Sequence, residues 1–217
     1  MRLPFTHDQF LNVFGAYNRL LWPFALALWI ASFAAVVTLL HSHHSPHRWF
    51  SGLLAGHWAW SGLAYHLAFF TAINPAAWLF GVLFLVQAAL FIRSGVARSQ
   101  LRFSMGRSFW HLTGAACLVY ALVYPVLNVA AGYEFPRVPT FGVPCPSTIM
   151  TAGFLILATG PVGRLVVIPV VWCFIGGSAA FLLGVRTDLA LIPAGAAMVL
   201  YVLTSGTMRR TWHGQKR

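Results

Sequence analysis

"FGVPCPSTIMTAGFLILAT", Phe141 to Thr159, decides how this chain is laid out. Its apolar run, Ser147–Thr159, has the composition of a membrane span but not the length. A helix that crosses the hydrocarbon core of a bilayer takes roughly 20 mostly apolar residues. If the run crosses, the two termini lie on opposite faces of the membrane. If it dips in and returns, they share a face.

Six further apolar runs flank it: Leu20–Leu40, Trp49–Ala72, Pro75–Ile92, Ser108–Ala131, Leu165–Leu183 and Leu189–Ser205. Charge decides between the two layouts. If all seven cross, one side collects Arg48, the loop arginines Arg93, Arg98, Arg102 and Arg107, then Arg164, Arg209, Arg210, Lys216 and Arg217. That makes ten cations, against four (Arg2, Arg19, Arg137 and Arg186) on the other side. If the short run returns, the split becomes six against eight. Cytoplasmic loops concentrate Lys and Arg, so the first layout is preferred. The fold class expected is all-α: a polytopic bundle of seven transmembrane helices, the fifth short, with the N-terminus outside and the C-terminus cytoplasmic. The short span extends its reach by absorbing Gly160 to Val162 or by thinning the bilayer locally.

The composition agrees. Of 217 residues 59% are hydrophobic and 8% charged, against about 25% charged in an average soluble domain. A water-soluble globule of this size has no interior large enough for that apolar surface, so the chain is read as an integral membrane protein. The net charge of +11 would suggest nucleic acid in a soluble basic domain. Here it reads as loop arginines that fix orientation and touch anionic lipid. Membrane lipids are the expected partners, and nucleic acid is not. Cys117, Cys145 and Cys173 form no CxxC and no Cys/His ligand spacing, so neither a disulfide framework nor a zinc site is supported. There is no internal repeat and no long linker, so residues 1–217 form one domain.

Ahead of the first span, "THDQFLNVFGAYNRL" spaces Phe10, Val13, Phe14 and Tyr17 as one helix face, with Thr6 as cap and Asp8 in the first turn. The expectation is an amphipathic helix lying in the interface; the alternative is an extension of the first span. Gly52 and Gly56 form a GxxxG, and Gly176, Ala180 and Gly184 repeat at every fourth position, marking close helix contacts. Pro125, Pro169 and Pro193 lie inside spans and predict kinks. The turn Asn74-Pro75 is explained by capping of the third span. Gln87, in mid-span, calls for a hydrogen-bond partner on another helix.

Ionisable groups inside a membrane are functional suspects. His57 and His66 share the second span but are nine residues apart, about half a turn net, and so face opposite ways. His57 and His111, on different helices at comparable depth, are the candidate axial pair for a haem or a metal. Packing by hydrogen bonds is the competing reading of both. Trp58 and Trp60 are deep for an interfacial belt and suit packing or a flat ligand. "HSHHSPHRW" places His41, His43, His44 and His47 at the inner membrane edge. On the outer side the proline-stiffened loop from Tyr133 to Pro146 is expected to fold as a lid over the helix ends. Glu134 is expected to pair with Arg137, Cys145 is a lone thiol, and Ser147 and Thr148 stand at a helix start whose free amides attract an anion or a carbonyl. His66, Glu134, Arg137, Cys145, Ser147 and Thr148 are therefore the candidate ligand-binding residues. A plug that merely seals the bundle is the alternative.

Several stretches together carry a resemblance. They are "FTHDQFLNVFGAYNRLLWP", "WAWSGLAYHLAFFTAINPAAWLFGVLFLVQA", "YALVYPVL", "PRVPTFGVPCPSTIMTAGFLIL" and "WCFIGGSAAFLLGV", which span nearly the whole chain. The chain resembles an uncharacterised bacterial family, a domain of unknown function, of small polytopic membrane proteins. The resemblance implies a location in the bacterial inner membrane and supplies no activity. The functional expectation is a non-enzymatic membrane component that binds a small or lipid-like ligand, or an accessory subunit of a larger membrane complex. The alternatives are a haem- or metal-binding redox protein built on His57 and His111, and an intramembrane hydrolase using His66, Glu134, Cys145 or Asp188.

Overall fold

The computed structural model describes residues 4–41 and 46–214, with side chains described as far as Ser205. The chain is helical almost throughout. Its elements are α1 (His7–His41), α2 (His47–Trp60), α3 (Ala77–Phe91), β1 (Arg102–Phe103), α4 (Phe109–Ala130), α5 (Pro144–Ile156), β2 (Ala158–Thr159), α6 (Val162–Leu165), α7 (Val167–Leu183) and α8 (Leu191–Gly214). Five helical stretches are long and apolar enough to cross a membrane: His7–His41, Ala77–Ala97, Phe109–Ala130, Val162–Leu183 and Arg186–Ser205. They turn large apolar side chains outward, such as Phe33, Trp78, Val126, Phe174 and Leu203. Outward apolar flanks are what a multi-pass membrane protein requires, because lipid tails replace water around them.

α1 corrects one expectation. The interfacial helix and the first span are a single helix of 35 residues, ~52 Å long at 1.5 Å per residue. That exceeds the ~30 Å hydrocarbon thickness, so its first turns stand beyond the lipid core. The apolar face read as lipid-facing is buried in protein instead: Phe10, Val13, Phe14 and Tyr17 pack with Tyr65 and Phe70. His7 Nδ1 meets the Leu183 carbonyl at 2.7 Å and ties the start of α1 to the open end of α7.

α2 does not stay regular. It widens to a π-helix over Ser61–Leu67 and ends as a 3-10 turn at Phe70–Ala72. The irregularity lies where α2 meets α3 most closely. A methyl on Gly62 would sit 3.2 Å from the Gly81 carbonyl, and one on Gly81 would sit 2.5 Å from Leu67. Gly62 with Gly81, and Gly114 with Gly153, are therefore close helix contacts, as is Gly176 against Leu191, whereas the Gly52/Gly56 pair makes none as tight. Gly56 has open space around it. Of the three prolines, only Pro125 lies well inside a helix; beside it Trp29 Nε1 donates to the Leu122 carbonyl at 2.8 Å. Pro169 and Pro193 fall in the first turns of α7 and α8, just after the bend at Val166 and the 3-10 turn Arg186–Ala190 that interrupt these helical stretches.

The short run is α5, thirteen residues at the centre of the bundle. Every residue in it is buried except half-buried Cys145. It is antiparallel to α4, close enough that a methyl on Gly153 would lie 2.8 Å from the Gly114 carbonyl. Past its end, β2 pairs with β1 (Arg102 opposite Thr159, Phe103 opposite Ala158). The Ser104 amide also donates to the Leu157 carbonyl at 3.1 Å. A helix enclosed by other helices need not match the bilayer thickness. Non-helical backbone at its two ends is tolerated because protein, rather than lipid, surrounds it.

Candidate ligand-binding site

The loop from Tyr133 to Val143 is held down from below. Proline-rich backbone has carbonyls to satisfy and few amides to do so within the loop, and buried carbonyls need partners. Side chains of α1, α2 and α4 supply them. Asn18 Nδ2 donates to the carbonyls of Pro136 and Val138 at 2.6 and 2.7 Å, and Thr140 donates back to Asn18 Oδ1 at 2.7 Å. Ser61 Oγ donates to the Gly142 carbonyl at 2.9 Å, and Asn128 Nδ2 to the Pro139 carbonyl at 3.3 Å. Gly142 has φ +78°, and a side-chain carbon there would meet the Tyr17 hydroxyl at 2.7 Å, so only glycine fits.

Charge on the loop is arranged otherwise than expected. Arg137 pairs with Asp8 of α1, not with Glu134, which is exposed. That hydrogen bond and the guanidinium charge hold the Asp8 carboxyl below its ordinary value. Asp8–Arg137 is the only ion pair among the described residues.

Beside the loop's end lies a cavity of about 420 Å³. Its walls come from the first turns of α1 (Phe10, Phe14), the end of α2 (Tyr65, Phe70), α7 (Trp172, Ile175, Ala179) and the start of α5 (Pro144, Cys145). Asp188, in the 3-10 turn Arg186–Ala190 before α8, lines it and is only 3% exposed. Its carboxylate accepts from the Tyr124 hydroxyl at 2.5 Å, and Cys145 lines the cavity with it. Neighbouring Thr187 donates to Asn128 Oδ1 at 2.7 Å, and its carbonyl accepts from Tyr120 at 2.7 Å. The turn carrying Asp188 is thus fixed to α4 at three points. Tyr65, 3% exposed, has no hydrogen-bond partner for its hydroxyl among the described residues and lines the same cavity.

The other candidates divide. Cys145 reaches the cavity. Ser147 and Thr148 turn into the packing: Thr148 donates to the Pro144 carbonyl at 2.8 Å, and Ser147 lies 3.4 Å from both His57 Nδ1 and Ser61 Oγ. His66 stands behind the cavity wall, enclosed by Phe70, Phe80, Phe84 and Trp172, with both ring nitrogens unpartnered. Of the four groups read as a hydrolase set, Cys145 and Asp188 come together. Glu134 is out on the loop and His66 is behind the aromatic wall.

His57 and His111 are not brought together. Ser32 donates to the Leu28 carbonyl and so accepts from His57 Nε2 at 2.8 Å, leaving Nδ1 to accept from Ser147. His111 is at the opposite end of the bundle, where its Nδ1 lies 2.6 Å from Ser108, the N-cap of α4. Ser147 and Leu157 mark these two levels on α5, ~15 Å apart along the helix axis. No group of three or more His, Cys, Asp and Glu suited to a metal occurs among the described residues. Of the histidine run, His41 lies against the Val37 carbonyl at 3.0 Å, and His47 Nδ1 accepts from the Phe103 amide at 3.1 Å. His43 and His44 lie outside the described residues.

No curated protein and no solved structure matches the chain. The sequence model of one family, described as a family of unknown function (DUF6064), matches residues 7–213.

Proposed function

The chain belongs to the DUF6064 family of unknown function, so membership brings no activity with it, and we propose from the geometry that it is a non-enzymatic multi-pass membrane protein that holds a small apolar or amphiphilic ligand. The observation that carries this reading is the cavity between α1, α2 and α7: apolar on nearly every side, with Asp188, Cys145 and the Tyr65 hydroxyl gathered in its lining. Ligand sites have this form, an apolar wall with a few polar groups that orient what enters. Phe174, Ser178 and Leu182 line both this cavity and the adjoining groove between α7 and α8. Phe174 and Leu182 are exposed on the flank, so the ligand enters sideways from the lipid.

The proposal includes seven crossings with the loop 133–143 on the outer face and β1 on the cytoplasmic face. Two things support it: the cation asymmetry, and α5 running from the lid to the strand before α4. The terminal residues that enter the charge count, Arg2, Lys216 and Arg217, lie outside the described residues, as do the side chains of Arg209 and Arg210. The inner membrane of a bacterium is the proposed location, on the family resemblance.

The test uses the full chain purified in a mild detergent. Mass spectrometry of an organic extract is expected to find one apolar species in near-stoichiometric amount. The stripped protein is expected to be stabilised against heat by neopentylbenzene, a small neutral hydrocarbon. Both effects vanish in Ala179→Phe, whose ring fills the cavity. Absence of both in the native chain overturns the reading.

A further inference from the structure

We infer that the cavity selects a ligand carrying an ammonium group, quaternary or protonated, on its apolar body. The inference rests on the ligand-binding reading above and names the chemistry that the site would recognise.

Three observations converge on it. Asp188 is a carboxylate held almost out of solvent, and its hydrogen-bond partner, the Tyr124 hydroxyl, is a neutral donor. No Lys, Arg or His is among the residues lining the cavity, although the chain carries 14 Lys and Arg. A buried carboxylate without a counter-charge is costly, and a cation brought by a ligand relieves that cost. Secondly, aromatic rings make up a large part of the remaining wall, alongside aliphatic residues such as Ile175, Ala179 and Leu183. Phe10, Phe14, Phe70 and Trp172 line the space, with Phe14 and Tyr65 stacked at 5.6 Å and Phe10 edge-on to Phe14 at 4.9 Å. Aromatic faces attract cations, and cages of such rings are the usual receptors for quaternary ammonium. Thirdly, Tyr65 presents a hydroxyl with no hydrogen-bond partner among the described residues, although the residue is more than nine-tenths buried. It is free to accept from an N–H donor or to meet a polar neighbour of the ammonium.

An anionic ligand is disfavoured by the same features, since it would face Asp188 with no base to offset it. A neutral hydrocarbon would fit the walls but leave the carboxylate uncompensated. Ammonium chemistry reaches an outer-leaflet cavity from two sources: the amine of a lipid headgroup, or a free hydrophobic amine dissolved in the membrane.

Two probes of the same shape separate charge from fit: benzyltrimethylammonium and neopentylbenzene, in which a carbon replaces the nitrogen. Their dissociation constants are measured by thermal stabilisation of the full chain in nanodiscs of glycerol-headgroup lipid. The ammonium probe is expected to bind at least about tenfold more tightly. Asp188→Asn, which keeps the shape of the side chain, is expected to bring the two within about threefold of each other. Equal affinity for both probes in the native chain overturns the inference and leaves the cavity reading standing. Failure of both probes to bind overturns the cavity reading itself. The native comparison decides the matter even if Asp188→Asn fails to fold. Repeating it in nanodiscs of ethanolamine-headgroup lipid identifies the source. Affinities are corrected for each probe's partitioning into protein-free nanodiscs of the same lipid, since anionic glycerol lipid concentrates a cation. A loss of ammonium-probe affinity in ethanolamine-headgroup lipid supports a lipid-borne amine, and unchanged affinity supports a free one.

Discussion

The Tyr124 hydroxyl donates to Asp188 Oδ1 across 2.5 Å, joining the middle of the fourth helix to the turn before the eighth. With the Thr187–Asn128 bond beside it, this contact fixes the one turn that places a carboxylate in the cavity. Tyr124→Phe keeps the ring and deletes the donor. A hydrogen bond to a charged group is worth about 1.5–3 kcal/mol, so the variant is expected to be less stable by that order in a reversible unfolding assay in detergent. In a double-mutant cycle with Asp188→Ala, which deletes the acceptor, the two losses should fail to add, because each removes the same contact. Additive losses would show that the bond contributes nothing.

Glycines that look alike in sequence should behave in opposite ways. A methyl on Gly153 would meet Leu118 at 2.7 Å and the Gly114 carbonyl at 2.8 Å, whereas one on Gly56 meets nothing within 4 Å. Gly153→Ala is expected to cost about 1–3 kcal/mol through overpacking. Gly56→Ala is expected to be neutral or to stabilise by up to about 1 kcal/mol, since alanine is the better helix former. Thermal unfolding of the two variants side by side checks the pair. A stable Gly153→Ala would mean that α4 and α5 are not in close contact.

The helical membrane class was legible because burial in lipid and burial in protein both demand apolar side chains. For the same reason their difference was not. Phe10, Phe14 and Tyr17 show helical spacing whether they face lipid or Tyr65, so the start of α1 read as an interfacial helix. α5 read as a span that is too short, when it is a central helix that lipid does not measure. Arginine placement favoured a crossing by this short run. Within the site, Cys145 and the prolines of the lid stood out by composition. Asn18 and Asn128, which hold the lid, and Tyr65 and Tyr124, which face or hold Asp188, were passed over. An asparagine inside an apolar run is the signal that would have found Asn128, because an amide in a span must find partners across helices. Nothing local announces that Asp188, eleven residues beyond Gly177, folds back against Cys145; that depends on the tertiary arrangement.

His47 gives a pH dependence outside the spans. Its Nδ1 accepts from the Phe103 amide, which requires the neutral ring. Burial, and then the charge of Arg102, push its pKa below the ordinary value of 6.5. Between the folded and unfolded values the unfolded chain binds more protons, so stability rises with pH across that interval. The contribution is fully present above about 6.5 and is lost as the pH falls below it. The unfolding midpoint of the native chain is expected to drop more between pH 7.5 and 5.5 than that of His47→Asn, whose amide oxygen can accept the same bond without taking a proton. Parallel curves for the two proteins would remove His47 as the cause.

Orientation is open to direct labelling. Glu134 is exposed on the loop ahead of α5, Arg164 is exposed just after β2, and Arg98 is exposed between α3 and β1. Since α5 connects the lid to β2, and β2 pairs with the segment that follows Arg98, Arg164 and Arg98 should share a face that excludes Glu134. On the orientation proposed from cation bias, the Arg98 face is cytoplasmic. With Glu134→Cys, Arg164→Cys and Arg98→Cys expressed singly in bacterial cells, a membrane-impermeant maleimide is expected to label the first in intact cells. It should label the other two only after permeabilisation, with the unsubstituted chain as the control for its three native thiols. If Arg164→Cys reacts together with Glu134→Cys in intact cells, α5 does not cross. The cavity would then no longer belong to the outer leaflet, and sideways entry of an outer-leaflet ligand would fail with it.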